Sequence, residues 1–430
     1  MNFVGKSLRW AVAGLWLAAA AAFAAGSGLT GPGFGSQERM GYRSGDQWEP
    51  ALAADGSGHL FVLFPQYGAV PGCDACAVPT VALTVSSDEG HHWRAPRPLL
   101  PSATGQFDPQ IVVDPADRVT VYAAWLQSDR REVIVARSVD SGRSWTTTVA
   151  DRAETELDRP VLAVRGHDVY VGFNHEEQVF VAVSHDSAQN FHSVIVNSGM
   201  EPGFALAGGA TVDPAGNVFF GWTSYAPKAE TNPVKIFVSR SMDGGQTWAT
   251  GLLDVSSAPP DCWREMCEPG YLGAQIAIAS DTAGRLYAAW NSGRSEGGAE
   301  RIYFASSISS GAGWTGRMDV STAREGVEHC FPALVAGEAG DVRIAWMDRR
   351  AGSLWNTYYR ASSDGGANWS QNVRLSNGAN GYDYIRPEGF RFPFGDYLSL
   401  AIDDQKATHA VWGEGRNYKS PGSIWYTRSR

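Results

Sequence analysis

An eight-residue phrase, Ser-x-Asp-x-Gly-x-x-Trp, recurs along this chain and limits its possible folds more than any other feature. Complete copies occupy residues 86–93, 138–145, 241–248 and 362–369. Looser copies occupy residues 184–191, where Phe191 replaces the Trp, and residues 306–314. Six copies at intervals of roughly 45–65 residues describe one structural unit used repeatedly. The residue types suit a hairpin corner. The Asp side chain accepts hydrogen bonds from turn amides, the Gly takes a positive φ, and the Trp packs back on the strands.

The phrase resembles the Asp-box, or BNR repeat, of the sialidase superfamily and of other β-propellers. That resemblance implies a propeller scaffold; the box itself is a structural device and says little about activity. A second pattern lies between the copies. Each unit has an apolar strand, a Gly- or Asp-rich turn, and a strand ending in an aromatic. Those ends are Phe64, Trp125, Phe173, Trp222, Trp290, Trp346 and Trp412. The alternation reads as strand, not helix. The units number seven, one more than the corner phrases. The last, about residues 394–430, has three strands and no corner. A blade needs four, and a closed ring protects its edges. The expected fold is therefore all-β, a single seven-bladed β-propeller closed by an N-terminal strand, near residues 37–44, joining the last blade. A six-bladed ring with an extra hairpin is the alternative. Sialidase domains have six blades, so the count departs from that family.

Composition agrees with many short strands and tight turns, with 49 Gly and 16 Trp in 430 residues. A net charge of −10 argues against a nucleic-acid partner. The first residues read as a secretory signal. Lys6 and Arg9 precede an apolar run over residues 10–23, and Ala22-Phe23-Ala24 offers a cleavage site. The expected organisation is a signal peptide at 1–24, an N-terminal segment with the closing strand at 25–47, and the propeller at 48–430. The run is short for a spanning helix, although an uncleaved anchor is the other reading. A secreted or periplasmic monomer is expected. Export places the five cysteines in an oxidising compartment. The expected disulfides are Cys73–Cys76 and Cys262–Cys267, with Cys330 left over. A metal site built from these cysteines and His329 is the alternative. The Cys-x-x-Cys lacks a following His, so it is no haem site. No cofactor fingerprint is present.

Topology sorts the polar residues by face. In a propeller the starts of the innermost strands and the ends of the second strands share one face, opposite the corners. The strand starts supply Glu49, Asp108, Asp158 with Arg159, His329 with Cys330, and Asp396 with Tyr397. The strand ends supply Asp129 with Arg130, Asn174-His175-Glu176, Asn291 with Arg294, Asp348-Arg349-Arg350, and Glu414 with Arg416. Carboxylates and arginines near one axis form an ionic pocket able to hold an anionic sugar. Two segments with Glu-Pro-Gly-aromatic, at 201–204 and 268–271, are candidate walls or simple rigid turns.

The likeness to sialidases implies particular roles. That family uses a Tyr nucleophile activated by a Glu, an Asp acid/base and three clamp arginines, an exception to the two-carboxylate scheme of glycosidases. Carried onto this chain, Tyr397 is the nucleophile, Glu268 or Glu176 its activator, and Asp108 the acid/base. Arg294 and Arg349 are clamp arginines. Arg43 stands where the family has Arg-Ile-Pro, but here the phrase is Tyr42-Arg43-Ser44. Three functions follow: a sialidase-like glycosidase on an acidic glycan, a non-catalytic glycan- or protein-binding propeller, or a uronate lyase using His175, His329 or Tyr397 as base.

Overall fold

The computed structural model describes residues 33–200, 203–225, 233–260, 272–352, 355–376, 395–414 and 422–430. Seven antiparallel sheets follow one another along the chain and form seven blades. Their innermost strands are Ala51–Ala54, Gln106–Val113, Leu157–Arg165, Phe204–Val212, Ile276–Ser280, His329–Ala336 and Ser399–Ile402. The second strands carry the large aromatics. Trp125, Trp222, Trp290, Trp346 and Trp412 are fully buried, with Phe64 and Phe173 in the remaining blades. Buried indoles need a partner. Trp346 donates to Asp348 (2.8 Å), Trp412 to Glu414 (2.9 Å) and Trp290 to Asp254 (2.8 Å). Two carboxylates from the predicted site face are therefore engaged in holding their own blades.

The ring closes as expected. Glu38–Arg39 pairs with Ser423–Arg428 in the register Glu38↔Tyr426 and Arg39↔Trp425. Gly35 N–H donates to the Arg428 carbonyl (2.9 Å) and Met40 N–H to that of Ile424 (2.8 Å). The outer edge of the last blade is thereby covered. Among the described residues no helix is long and apolar enough to cross a membrane.

The corners behave as the phrase predicts. Ser138 Oγ donates to Asp140 Oδ1 (2.9 Å) and accepts from Gly142 N–H (2.9 Å). Asp140 Oδ1 in turn accepts from Ser144 N–H (2.9 Å), and Trp145 Nε1 donates to the Gly142 carbonyl (3.2 Å). The same pattern holds at Ser241 and Ser362. In the 184–191 copy Ala188 occupies the Gly place and adopts a left-handed φ of 67°. The 306–314 copy is anchored one residue later than the sequence suggested. Ser307 Oγ accepts from Gly311 N–H (3.0 Å), and Ser309 stands in place of the Asp. The spacing to Gly311 and Trp314 fixes that register.

Cys73 and Cys76 form a disulfide, and Cys330 is a free, buried thiol, both as expected. Cys262, Cys267 and residues 1–24 lie outside the described residues.

Candidate active site

The innermost strands enter the ring through a shared irregularity. In the blades of Gln106–Val113, Leu157–Arg165 and His329–Ala336 the pairing slips by one residue near the strand start. A residue with positive φ followed by Pro marks each slip: Asp108-Pro109 (51°), Arg159-Pro160 (45°) and Phe331-Pro332 (53°). The first blade has the equivalent break at Glu49-Pro50 (55°), between Asp46–Gln47 and Ala51–Ala54, which pair with the same strand. A bulge of this kind bends the strand and re-aims the side chain next to it. Here the re-aimed residues are Glu49, Asp108 and Arg159.

The result is one cluster at the mouth of the axis. It contains the carboxyls of Glu49, Asp108, Asp158 and Asp396, with Arg159, Tyr67 and Tyr397. Gly395 holds two of its walls together. A Cβ there would fall 2.8 Å from Glu49 Cγ and 3.2 Å from Glu49 N. The position also has φ 74°, so only Gly suits it. Asp396 is thereby held beside Glu49.

Arg159 spans the axis. Its Nη2 donates to Gln275 Oε1 of the fifth blade (2.8 Å), and Nη1 lies 3.7 Å from Asp396 Oδ2 of the seventh. Its guanidinium carbon sits 5.5 Å from the centre of the Tyr397 ring. Gln275 is fixed in turn by Asn291, whose Oδ1 accepts the Gln275 N–H (2.9 Å). Asn291 also donates through Nδ2 to the buried carboxyl of Glu300. Below Arg159 and Tyr397 a cavity of about 680 Å³ runs between the innermost strands toward the turns near Asp114, Asp281 and Asp403.

Burial shifts every acid in the cluster upward. Glu49 is 1 % exposed, and burial followed by repulsion from Asp396 and Asp108 raises it well above the usual range. Burial and Asp158 push Asp108 up to about 8. Burial and Asp396 push Asp158 up to about 6, and burial raises Asp396 despite Arg159. Burial and the charge of Glu49 likewise hold the Tyr397 phenol well above its ordinary value. Three polar atoms here find no hydrogen-bond partner among the described residues: Glu49 Oε2, Arg159 Nη1 and the Tyr397 hydroxyl. Buried polar atoms without partners cost stability, and such atoms in a cleft mark a place where a ligand completes the network.

Of the residues singled out from sequence, Glu49, Asp108, Asp158, Arg159, Asp396 and Tyr397 come together in this cluster. Glu268 lies outside the described residues. Glu176 is exposed at the outer end of its hairpin, with Thr155 as neighbour (3.5 Å). Arg43 is exposed, between the closing strand and Asp46–Gln47. Arg294 is exposed and donates to the Tyr303 hydroxyl (2.8 Å), while Arg349 lies over the Trp355 ring (5.6 Å). Among the described residues, the cations acting on the cluster acids are Arg159 and Arg130. His329 is buried, donates through Nδ1 to the Glu300 carbonyl (2.9 Å), and is pushed by burial down to about 4. Tyr67 and Gln275 carried no signal of their own. The recurring acidic- or basic-residue-then-Pro at strand starts is the pattern that marks the cluster in the sequence. Among the described residues no group of His, Cys, Asp and Glu is arranged to hold a metal ion.

No protein-family model and no curated protein matches the sequence. Solved structures do match the fold at low identity. A protein of unknown function from Dyadobacter fermentans is 12% identical with a TM-score of 0.54, over 93% of this chain and 100% of its own. A polysaccharide lyase, an ulvan lyase, is 11% identical with a TM-score of 0.51, over 90% and 95%. The NanB sialidase of Streptococcus pneumoniae is 9% identical with a TM-score of 0.50, over 92% and 71%. At these identities the likeness is one of fold: the chain is a β-propeller, a scaffold it shares with proteins of different activity.

Proposed function

We propose that the protein is an exported glycosidase whose reaction takes place at the axial cluster. The observation that carries this reading is the convergence of Asp108, Tyr397, Glu49 and Arg159 on one recess, three of them with a polar atom that lacks a hydrogen-bond partner among the described residues. Asp108, with a pKa of about 8, holds a proton at neutral pH and serves as the acid that protonates the leaving oxygen. Tyr397 attacks the anomeric carbon and passes its proton to Glu49, which takes the place that the family likeness gave to Glu268 or Glu176. A carboxyl pushed upward is the stronger base once ionised. Water then cleaves the glycosyl–tyrosine bond, with Asp108 returning as the base. Arg159 Nη1 is the donor for a sugar oxygen. The Cys73–Cys76 disulfide supports an oxidising compartment.

The test is turnover of a panel of fluorogenic glycosides, a sialoside included, by the purified protein and its Tyr397→Phe and Asp108→Asn variants. The account expects release of the fluorophore from at least one glycoside. Each variant loses about 100-fold or more of the rate while retaining its melting transition. Binding of a glycan without turnover supports the alternative of a non-catalytic propeller.

A further inference from the structure

The charges at the axis are unequal, and the inequality bears on the substrate. Four carboxyls converge there, from Glu49, Asp108, Asp158 and Asp396. Two guanidiniums act on them among the described residues, and one of these is committed elsewhere. Arg130 pairs with Glu156 at the rim and lies over the Phe107 ring (5.9 Å). Arg159 alone remains inside, and one of its donors is taken by Gln275. The walls add the Tyr67 and Tyr397 rings, and an aromatic face attracts a cation. Glu49 Oε2 is buried beside them without a hydrogen-bond partner among the described residues.

We propose that the sugar bound at the axis carries an ammonium group, as a 2-amino sugar does, and that Glu49 and Asp158 receive it. This inference rests on the reading of the cluster as a glycan site. A sugar carboxylate brought here adds negative charge to a recess whose inner cation among the described residues, Arg159, already lies 3.7 Å from Asp396, at a Coulomb cost that burial enlarges. An ammonium does the opposite. It supplies a donor to Glu49 Oε2, which lacks one among the described residues, and offsets the repulsion that adds to burial in raising these acids. An N-acetylated sugar has the same shape without the charge, so it separates charge from fit.

Calorimetric titration of the full protein with a glucosamine tetramer, its N-acetylated counterpart and a glucuronate-containing tetramer tests the inference. The amine is expected to bind about tenfold or more tighter than either of the others. Glu49→Gln and Asp158→Asn each remove about that factor for the amine and leave the N-acetylated tetramer within about twofold. If one variant fails to fold, the other carries the test. Preference for the glucuronate tetramer, equal binding of amine and N-acetyl forms, or no binding of any of the three overturns the inference. Amine-selective binding without cleavage upholds it and removes the glycosidase reading. Cleavage of an acidic glycan that Asp108→Asn abolishes does the reverse.

Discussion

Arg159 of the third blade donates through Nη2 to Gln275 Oε1 of the fifth, 2.8 Å away across the propeller axis. The bond sets a positive charge among four carboxyls, Glu49 buried and Asp108, Asp158 and Asp396 half-buried, and caps the axial cavity. Arg159→Ala leaves those acids without their inner counter-charge. Removing one member of a buried charged network costs about 3–5 kcal/mol. The loss is expected to be larger at about pH 8, where more of the carboxyls ionise, than at about pH 5. Urea unfolding at the two pH values measures it, and equal loss at both removes the electrostatic explanation.

The raised acids also set the pH range of stability. Asp108 titrates near 3.8 when unfolded and at about 8 when folded, so its contribution is complete below the lower value and is lost as pH rises to the higher one. Asp158, at about 6 folded, acts in the same direction. His329 acts oppositely. Its folded value of about 4 lies below the unfolded 6.5, so its contribution is present above 6.5 and lost as pH falls toward 4. Stability therefore declines on the alkaline side because of the cluster and on the acid side because of His329. Glu49→Gln removes one raised acid and is expected to increase the melting temperature at about pH 8 more than at about pH 5. Scanning calorimetry of wild type and variant checks the difference.

The corner hydrogen bonds predict a graded response. Ser138→Ala leaves the buried Gly142 N–H without its acceptor, which costs about 1–3 kcal/mol. Ser307→Ala removes the same bond from Gly311, but Ser307 is joined to Ser309 and not to a carboxylate. Its cost is expected to be smaller, because neutral hydrogen bonds are weaker than charge-assisted ones. Chemical denaturation of the two variants gives the comparison.

Removing residues up to 40 takes away Glu38–Arg39 and exposes the edge of Ser423–Arg428. An open sheet edge invites pairing with another chain. The truncated protein is expected to melt at lower temperature and to associate. Light scattering on heating distinguishes this from an inert N-terminal segment.

Much of the fold was legible because its determinants are local. Each corner lies within eight residues, and the large aromatic of each second strand recurs two or three residues before the strand ends, so spacing alone places them. The closing strand followed from a blade with three strands and no corner. The site was legible only by face. Asp108 and Tyr397 could be placed near the axis, but the link from Arg159 to Gln275 joins residues 116 apart in sequence. No local pattern encodes it. The clamp role given to Arg294 depended on its position after Trp290, whereas its side chain turns to Tyr303, a choice made by packing between neighbouring strands. The anchor of the fifth corner was misplaced by one residue because Ser306 and Ser307 are adjacent and the Asp is absent.

The central claim is that Asp108 delivers a proton to a glycosidic oxygen at the axis. The rate profile of the best substrate from about pH 5 to about pH 10, in wild type and Asp108→Asn, tests it most directly. The account predicts that wild-type kcat/KM falls above about 8, where Asp108 loses its proton, and that the variant is about 100-fold slower without that alkaline limb. An Asp108→Asn variant with the wild-type rate and the same profile would contradict it.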